Sequence, residues 1–158
     1  MARVPYLKKS AFFQNFTDKE IAVLAALMDE KQYPINTFMS DEGSIGGAFY
    51  LIKKGKVKLS KDLEPIENMP LIILGAGQIF GEFSVIHSTP RFFTIRTIEP
   101  TELLILSKEK FEILADKSPK IAFKFLKAAI INASMRFEML SKEYFNDILL
   151  FLLSKGSS

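Results

Sequence analysis

Between residues 77 and 94 the chain reads Gly-Gln-Ile-Phe-Gly-Glu-Phe-Ser-Val-Ile-His-Ser-Thr-Pro-Arg-Phe-Phe-Thr. Gly81 lets the backbone approach a bound molecule closely, because glycine carries no side chain. Glu82 follows it directly, and Arg91 comes nine residues after Glu82. A guanidinium binds a phosphate through paired, charge-assisted hydrogen bonds, whereas a carboxylate is better placed on sugar hydroxyls. The stretch is therefore suited to a phosphate joined to a ribose.

The chain around this stretch is divided into short apolar runs by glycine and proline, from residue 32 to residue 106. This punctuation is typical of many short β-strands. A hairpin is predicted for Ala48–Ile52 and Val57–Leu59, with Gly55 in the turn. Further strands are predicted at residues 71–74, 93–98 and 102–106.

Helical patterns flank the strands on both sides. Thr17 and Glu20 have the spacing of a capping box, and apolar residues then recur at helical period, which predicts a helix over residues 18–29. Apolar residues between positions 7 and 16 predict a shorter helical stretch before it. After the strands, helices are predicted over residues 108–116 and from Pro119 toward Gly156. The order of elements is helices, one block of strands, then helices.

The residues quoted first resemble the phosphate-binding cassette of the cyclic-nucleotide-binding domain family. This family provides the sensor of the kinase A regulatory subunit, the catabolite activator and nucleotide-gated channels. Phe80-Gly81-Glu82 and Pro90-Arg91 match the cassette without a gap. The resemblance covers nearly the whole chain and implies an α+β, mainly β fold: a jelly-roll-like antiparallel β-roll flanked by N-terminal helices and by C-terminal hinge and lid helices. It predicts one domain over residues 1–158, with an N-terminal helical segment (1–30), a roll (31–107) that holds the cassette (80–94), and C-terminal helices (108–155).

The likeness also implies a role for each residue of the site. Gly81 allows the backbone to approach the ligand closely, Glu82 binds the ribose 2′-hydroxyl, and Arg91 pairs with the cyclic phosphate. The backbone N–H groups of Phe83 and Ser84 complete the anion cradle, and the Ser84 hydroxyl can add to it. The resemblance therefore predicts a non-catalytic sensor of a cyclic nucleotide, which relays binding through movement of the C-terminal helices.

Phe92 departs from the family pattern, which usually has Ala, Ser or Thr directly after the Arg. In relatives that prefer cGMP a Thr here reaches the guanine, so Phe92 favours cAMP over cGMP. Two functions stay open at this point. Phe92 can stack on the purine of a bound nucleotide, or Phe92 and Phe93 can fill the pocket of a ligand-free protein-interaction module. A structural ion pair between Glu82 and Arg91 is a third interpretation.

Composition argues against most other chemistry. The chain has 158 residues, no Cys and a single His, so His87 has no second His with which to hold a metal. No nucleophile elbow and no Walker motif is present, and we expect no enzyme activity, no catalytic residue, no metal and no cofactor besides the nucleotide ligand. The net charge of +3 is spread along the chain, which predicts no DNA binding. No signal peptide and no apolar run of about 20 residues is found, so we expect a cytoplasmic protein that is not inserted into a membrane.

The output of such a sensor is not visible in the sequence. We expect it to act on an unidentified effector protein or on a fused domain missing from this chain, and the sequence does not decide whether the chain is full length or a fragment. The final helical region is rich in aromatic residues, among them Phe137, Tyr144, Phe145 and Phe151. A helix that is apolar around much of its circumference must bury more than one face, so a homodimer through this helix is a further hypothesis.

Overall fold

The computed structural model describes residues 2–40, 47–63, 66–87 and 93–155. Its helices are α1 (Val4–Lys9), a 3-10 helix (Ala11–Phe13), α2 (Asp18–Leu27), α3 (Lys108–Lys117) and α4 (Pro119–Lys155).

The predicted capping box forms at the start of α2. Glu20 N–H donates to Thr17 Oγ1 at 3.4 Å, and Thr17 N–H donates to the Glu20 carboxylate at 2.7 Å. The predicted end of this helix was wrong by two residues. The helix stops at Leu27 because Met28 adopts an extended backbone conformation and Asp29 begins a strand.

Within the described residues, eight strands form the roll: β1 (Asp29–Tyr33), β2 (Phe38–Ser40), β3 (Ala48–Lys54), β4 (Lys56–Leu63), β5 (Ile66–Gly75), β6 (Ile79–Phe80), β7 (Thr94–Thr97) and β8 (Thr101–Ser107). They make two four-stranded antiparallel sheets, with strand orders β1-β8-β3-β6 and β2-β7-β4-β5. The prediction of an antiparallel β-roll between helices is confirmed. The predicted hairpin around Gly55 was wrong: both strands form, but β3 pairs with β6 and β8 whereas β4 pairs with β5 and β7, so the chain passes from one sheet to the other at Gly55.

The strand predicted at residues 71–74 is longer than expected and runs from Ile66 to Gly75. It contains Pro70, which lies opposite Ser60 of β4. Proline has no backbone N–H and is confined to positions where a ladder bond is not needed. β5 meets this condition because it is the last strand of its sheet.

An aromatic cluster joins the N-terminal helices, the roll and the C-terminal helices. Phe125 of α4 is fully buried, and its ring centroid lies 4.9 Å from that of Phe49 on β3, 5.1 Å from that of Phe12 and 5.2 Å from that of Phe111 on α3. Such edge-on and tilted pairs add to the free energy gained from burial. The cluster therefore fixes the first part of α4 against the roll, up to the buried Ala129.

A second cluster fills the interior of the roll, between the two sheets. It includes Ile52, Leu59, Leu74, Phe80 and Leu103. Of the helices in the described ranges, none combines the length and the apolar character needed to cross a bilayer.

Candidate functional site

Gly81 sets the path of the chain directly after β6. Its φ is +78°, and a Cβ added there would lie 2.3 Å from the backbone oxygen of Ala48. Any other residue would be strained and would collide with β3. The ring of Phe80, the residue before Gly81, stacks on the ring of Tyr50 on β3. The ring centroids are 4.7 Å apart and the angle between the ring planes is 9°. The backbone thus turns in close contact with β3 and carries the next residue, Glu82, toward α4.

Hydrogen-bonded turns follow Gly81 and continue to His87. Ser84 N–H and Val85 N–H both donate to the Gly81 carbonyl oxygen, at 3.1 and 3.4 Å. Ser84 N–H, which the resemblance placed in the anion cradle, is therefore already bonded within the turn, and an anion would have to share it. Within the described part of the chain, no hydrogen bond uses the Phe83 N–H.

Glu82 is a buried carboxylate that α4 holds in place. Its side chain is 4% exposed, and its Oε1 accepts from Asn132 Nδ2 at 3.0 Å and from Arg136 Nη1 at 3.1 Å. Arg136 Nη2 also donates to the Ile79 carbonyl oxygen at 2.7 Å. The guanidinium of Arg136 therefore links α4 both to the end of β6 and to the carboxylate. No hydrogen bond to Glu82 Oε2 is found among the residues that the structure describes.

A cavity of about 410 Å³ lies beside this carboxylate, between the roll and α4. That volume falls within the range of small-molecule pockets. Its walls are mainly apolar, with charged side chains from Lys61, Glu82 and Arg136. The remaining lining residues are Leu59, Phe80, Gly81, Phe83, Phe93, Ile95, Ala133, Phe137 and Leu140. Phe93 forms part of the wall and does not fill the space.

The structure brings three of the predicted site residues together at this cavity: Gly81, Glu82 and Phe83. Ser84 is buried next to them but is not part of the lining. Arg91 and Phe92 lie outside the described residues. Among those that are described, no group of three His, Cys, Asp or Glu side chains is arranged to hold a metal.

Asn132 and Arg136 were missed by sequence reasoning. Both lie on α4, one helical turn apart, so their side chains share a face of the helix. The available signal was two polar residues at this spacing within an otherwise apolar and aromatic stretch. Nothing in the sequence, however, connects that face to Glu82, which is fifty residues earlier in the chain.

Residues 30–118, more than half of the chain, match the family model of the cyclic nucleotide-binding domain. The chain belongs to this family. The family recognition made on the cassette residues is thereby confirmed, and the domain is of a regulatory, ligand-binding type.

Two curated relatives are similar in sequence to this cyclic nucleotide-binding domain. This chain is 28% identical over 140 residues to the cyclic AMP receptor protein of Thermus thermophilus. The match covers 87% of this chain and 65% of the relative. The chain is 31% identical over 108 residues to the cGMP-dependent protein kinase egl-4 of Caenorhabditis elegans, covering 67% of this chain and 14% of the kinase. The chain thus spans less than two thirds of either relative.

A solved structure agrees with the fold. The domain superposes on a cyclic nucleotide-binding domain from Methylobacillus flagellatus with a TM-score of 0.82 and 26% identity, covering 91% of this chain and 81% of that one.

Proposed function

We propose that this domain is a cytoplasmic, non-catalytic sensor that binds cAMP in preference to cGMP and relays binding through α4. The observation that carries the proposal is the Glu82 carboxylate, which is buried at the wall of a cavity of about 410 Å³. Its Oε1 is bonded to α4, and within the described residues its Oε2 has no hydrogen bond. This oxygen is free to accept a hydrogen bond from a ligand, and a ribose hydroxyl can supply the donor.

The proposed ligand lies with its sugar on Glu82 and its base toward α4. The ribose 2′-hydroxyl donates to Glu82 Oε2, while Arg91, helped by the Phe83 N–H, binds the cyclic phosphate. The base contacts Phe92 and the wall formed by Phe93, Phe137 and Leu140. Guanine carries a carbonyl and an amino group on its outer edge, and such groups lose hydrogen bonds to water against an apolar wall. Adenine, with one exocyclic amino group, loses fewer.

The relay that we propose follows from the position of α4 in the wall of the cavity. Ala133, Arg136, Phe137 and Leu140 all line it, and the Phe137 side chain is largely exposed. A nucleotide in the cavity would contact both the roll and α4, and would therefore favour the state in which α4 is seated. Because such coupling is reciprocal, changes that loosen α4 should weaken nucleotide binding.

Isothermal titration of cAMP and cGMP into the purified chain tests the ligand. We expect cAMP to bind more tightly than cGMP, and Arg91→Ala to remove binding of both. Lys120→Ala, at the exposed start of α4, is the charge control and should bind like wild type. If wild type binds neither nucleotide, the sensor proposal fails, and a ligand-free interaction module becomes the better explanation.

Amide hydrogen exchange tests the relay separately. We expect cAMP to slow exchange of the backbone amides at residues 132–140, and Arg136→Ala to weaken cAMP binding by about tenfold, since a charge-assisted hydrogen bond contributes about 1.5–3 kcal/mol. Lys127→Ala is the matched control, because Lys127 is an exposed cation of the same helix. Binding of cAMP without any change in exchange along α4 would contradict the relay while leaving the ligand proposal intact.

We further propose that a second copy of the chain covers the end of α4. Residues 142–154 are all exposed, yet they include a row at spacings of four and three formed by Tyr144, Ile148 and Phe151, with a parallel row formed by Phe145, Leu149 and Leu152. These spacings match the seam of paired helices. Sedimentation equilibrium should show a dimer that Ile148→Glu converts to a monomer, whereas a monomeric wild type would refute it.

A further inference from the structure

A second, smaller cavity lies on the opposite face of β4 from Leu59, the residue that lines the nucleotide site. Its volume is about 140 Å³, and it is lined by Phe38, Lys58, Ser60, Thr94 and Arg96. In the pairing of β4 with β7, Lys58 lies directly opposite Arg96 and Ser60 directly opposite Thr94. Directly paired residues, and residues two apart on one strand, share a face of the sheet. The two cations and the two hydroxyls are therefore neighbours on one surface.

Two of the side chains that line this cavity, Lys58 and Arg96, are cations. Like charges directly opposite each other on neighbouring strands are destabilising. Across the described ranges, neither Lys58 nor Arg96 forms an ion pair. Lys56, two residues earlier on the same strand, differs in this respect, because its ammonium contacts the Glu99 carboxylate at 2.6 Å. An anion held between Lys58 and Arg96 would remove the repulsion.

The guanidinium of Arg96 packs against the ring of Phe38. Its central carbon lies 3.9 Å from the centroid of the Phe38 ring, so the ring occupies one face of the guanidinium and leaves the N–H donors at its edge. The Nε atom is buried and, among the described residues, has no hydrogen-bond partner. A buried charged donor without a partner is unfavourable unless a ligand supplies the acceptor.

We propose that this cavity binds a tetrahedral oxyanion, specifically a phosphate group. Arg96 and Lys58 would supply charged donors, and the Ser60 hydroxyl a neutral one. Small-molecule pockets usually begin at roughly 300 Å³, so a cavity of about 140 Å³ admits an ion or a single phosphate group and not a whole nucleotide. The site is distinct from the nucleotide cavity, with which it shares no lining residue among those described.

The direct test is NMR of the Arg96 Nε–H in the full chain carrying Arg91→Ala, so that phosphate cannot bind through the cassette arginine. Inorganic phosphate and O-phosphoserine are titrated separately. We expect a saturable shift of the Arg96 Nε–H signal. Tighter binding of O-phosphoserine would indicate that the phosphate arrives on a larger molecule, and tighter binding of inorganic phosphate would indicate the free ion. No saturable shift with either ligand would overturn the proposal.

Variants of the two cations test the assignment of donors. In the same background, Arg96→Gln and Lys58→Gln should each raise the Kd for phosphate by about tenfold or more, as expected for loss of a charge-assisted hydrogen bond. Because Arg96→Gln removes the Nε–H signal, these Kd values are measured by isothermal titration. Lys120→Gln removes one exposed positive charge elsewhere and should leave the Kd unchanged. Should Arg96→Gln fail to fold, Lys58→Gln still decides the matter, because its side chain is only partly buried. If Lys58→Gln, like Lys120→Gln, leaves the Kd for phosphate unchanged from that of the Arg91→Ala background, the proposed site is refuted.

Discussion

Alanine substitutions at three glycines should separate backbone strain from steric collision next to the ligand site. Gly81 has a φ of +78° and an added Cβ would lie 2.3 Å from the Ala48 oxygen. Gly77 has a similar φ of +84°, but its added Cβ would meet nothing closer than 3.9 Å. Gly47 has neither feature, since its φ is outside the left-handed range and no heavy atom lies within 4 Å of the added Cβ.

The expected costs follow from these geometries. Left-handed backbone costs alanine about 1–2 kcal/mol, so Gly77→Ala should lose about that much of the free energy of unfolding. Gly81→Ala carries the same strain and must also displace β3 or the turn, which adds about 1–3 kcal/mol. Its total is therefore about 2–5 kcal/mol. Gly47→Ala should stay within about 0.5 kcal/mol of wild type.

Urea denaturation followed by far-UV circular dichroism measures all three variants, provided that the slope of the transition is unchanged. The order of stability should be Gly47→Ala, then Gly77→Ala, then Gly81→Ala. If Gly81→Ala costs no more than Gly77→Ala, the close approach to Ala48 is not a constraint on the fold. The explanation for how Glu82 is positioned would then be wrong.

The Lys124 ammonium, followed by the Thr17 backbone N–H, holds the pKa of the Glu20 carboxyl below its ordinary value of 4.5. A carboxyl whose pKa is lower in the folded than in the unfolded state stabilises the fold at pH values above its ordinary pKa. This stabilisation is lost as the pH falls through the pKa of the folded state. The free energies of unfolding of wild type and Lys124→Gln, measured by urea denaturation, should therefore differ at neutral pH by no more than about 1 kcal/mol and become equal in acid. If the difference is unchanged in acid, the ion pair is not its cause. Phe125→Ala, which empties the centre of the aromatic cluster, should cost about 3–5 kcal/mol, whereas Phe123→Ala on the exposed side of α4 should cost about 0.5 kcal/mol or less. Equal urea midpoints for these two variants would contradict the account of how α4 is fixed.

Strands β3, β4, β7 and β8 and the end of β5 could be predicted from apolar runs bounded by glycine or proline, but β1, β2 and β6 were not predicted. The reason is clearest for β1. Its residues, Asp-Glu-Lys-Gln-Tyr, are polar, and four of the five are exposed. They form a strand because β8 offers a complete backbone ladder, from Asp29 opposite Ile105 to Tyr33 opposite Thr101. That cause lies about 70 residues away in the chain and leaves no local pattern, since strand propensity depends on neighbouring strands.

The residues of the candidate site, like the strands, could be predicted from the sequence only in part. Gly81 and Glu82 are adjacent, and together with Arg91 they resemble the family cassette closely enough to predict a ligand contact from the sequence, which stays a prediction. The contacts from Asn132 and Arg136 depend on how α4 returns across the roll, and that path is set by the burial of Phe125 and Ala129. Tertiary packing of this kind is not encoded in the spacing of the polar residues themselves.

The unequal anchoring of α4 has a mechanical consequence. The helix is fixed near the buried Ala129, whereas residues 142–154 are exposed. At 1.5 Å per residue, Arg136 lies about 10 Å beyond that fixed point and Leu153 about 36 Å beyond it. If the helix rotates as a rigid rod about Ala129, a displacement of about 1 Å at Arg136 becomes about 3.5 Å at Leu153. A rearrangement small enough to be accommodated by two hydrogen bonds at Glu82 would thus be amplified at the far end of the helix.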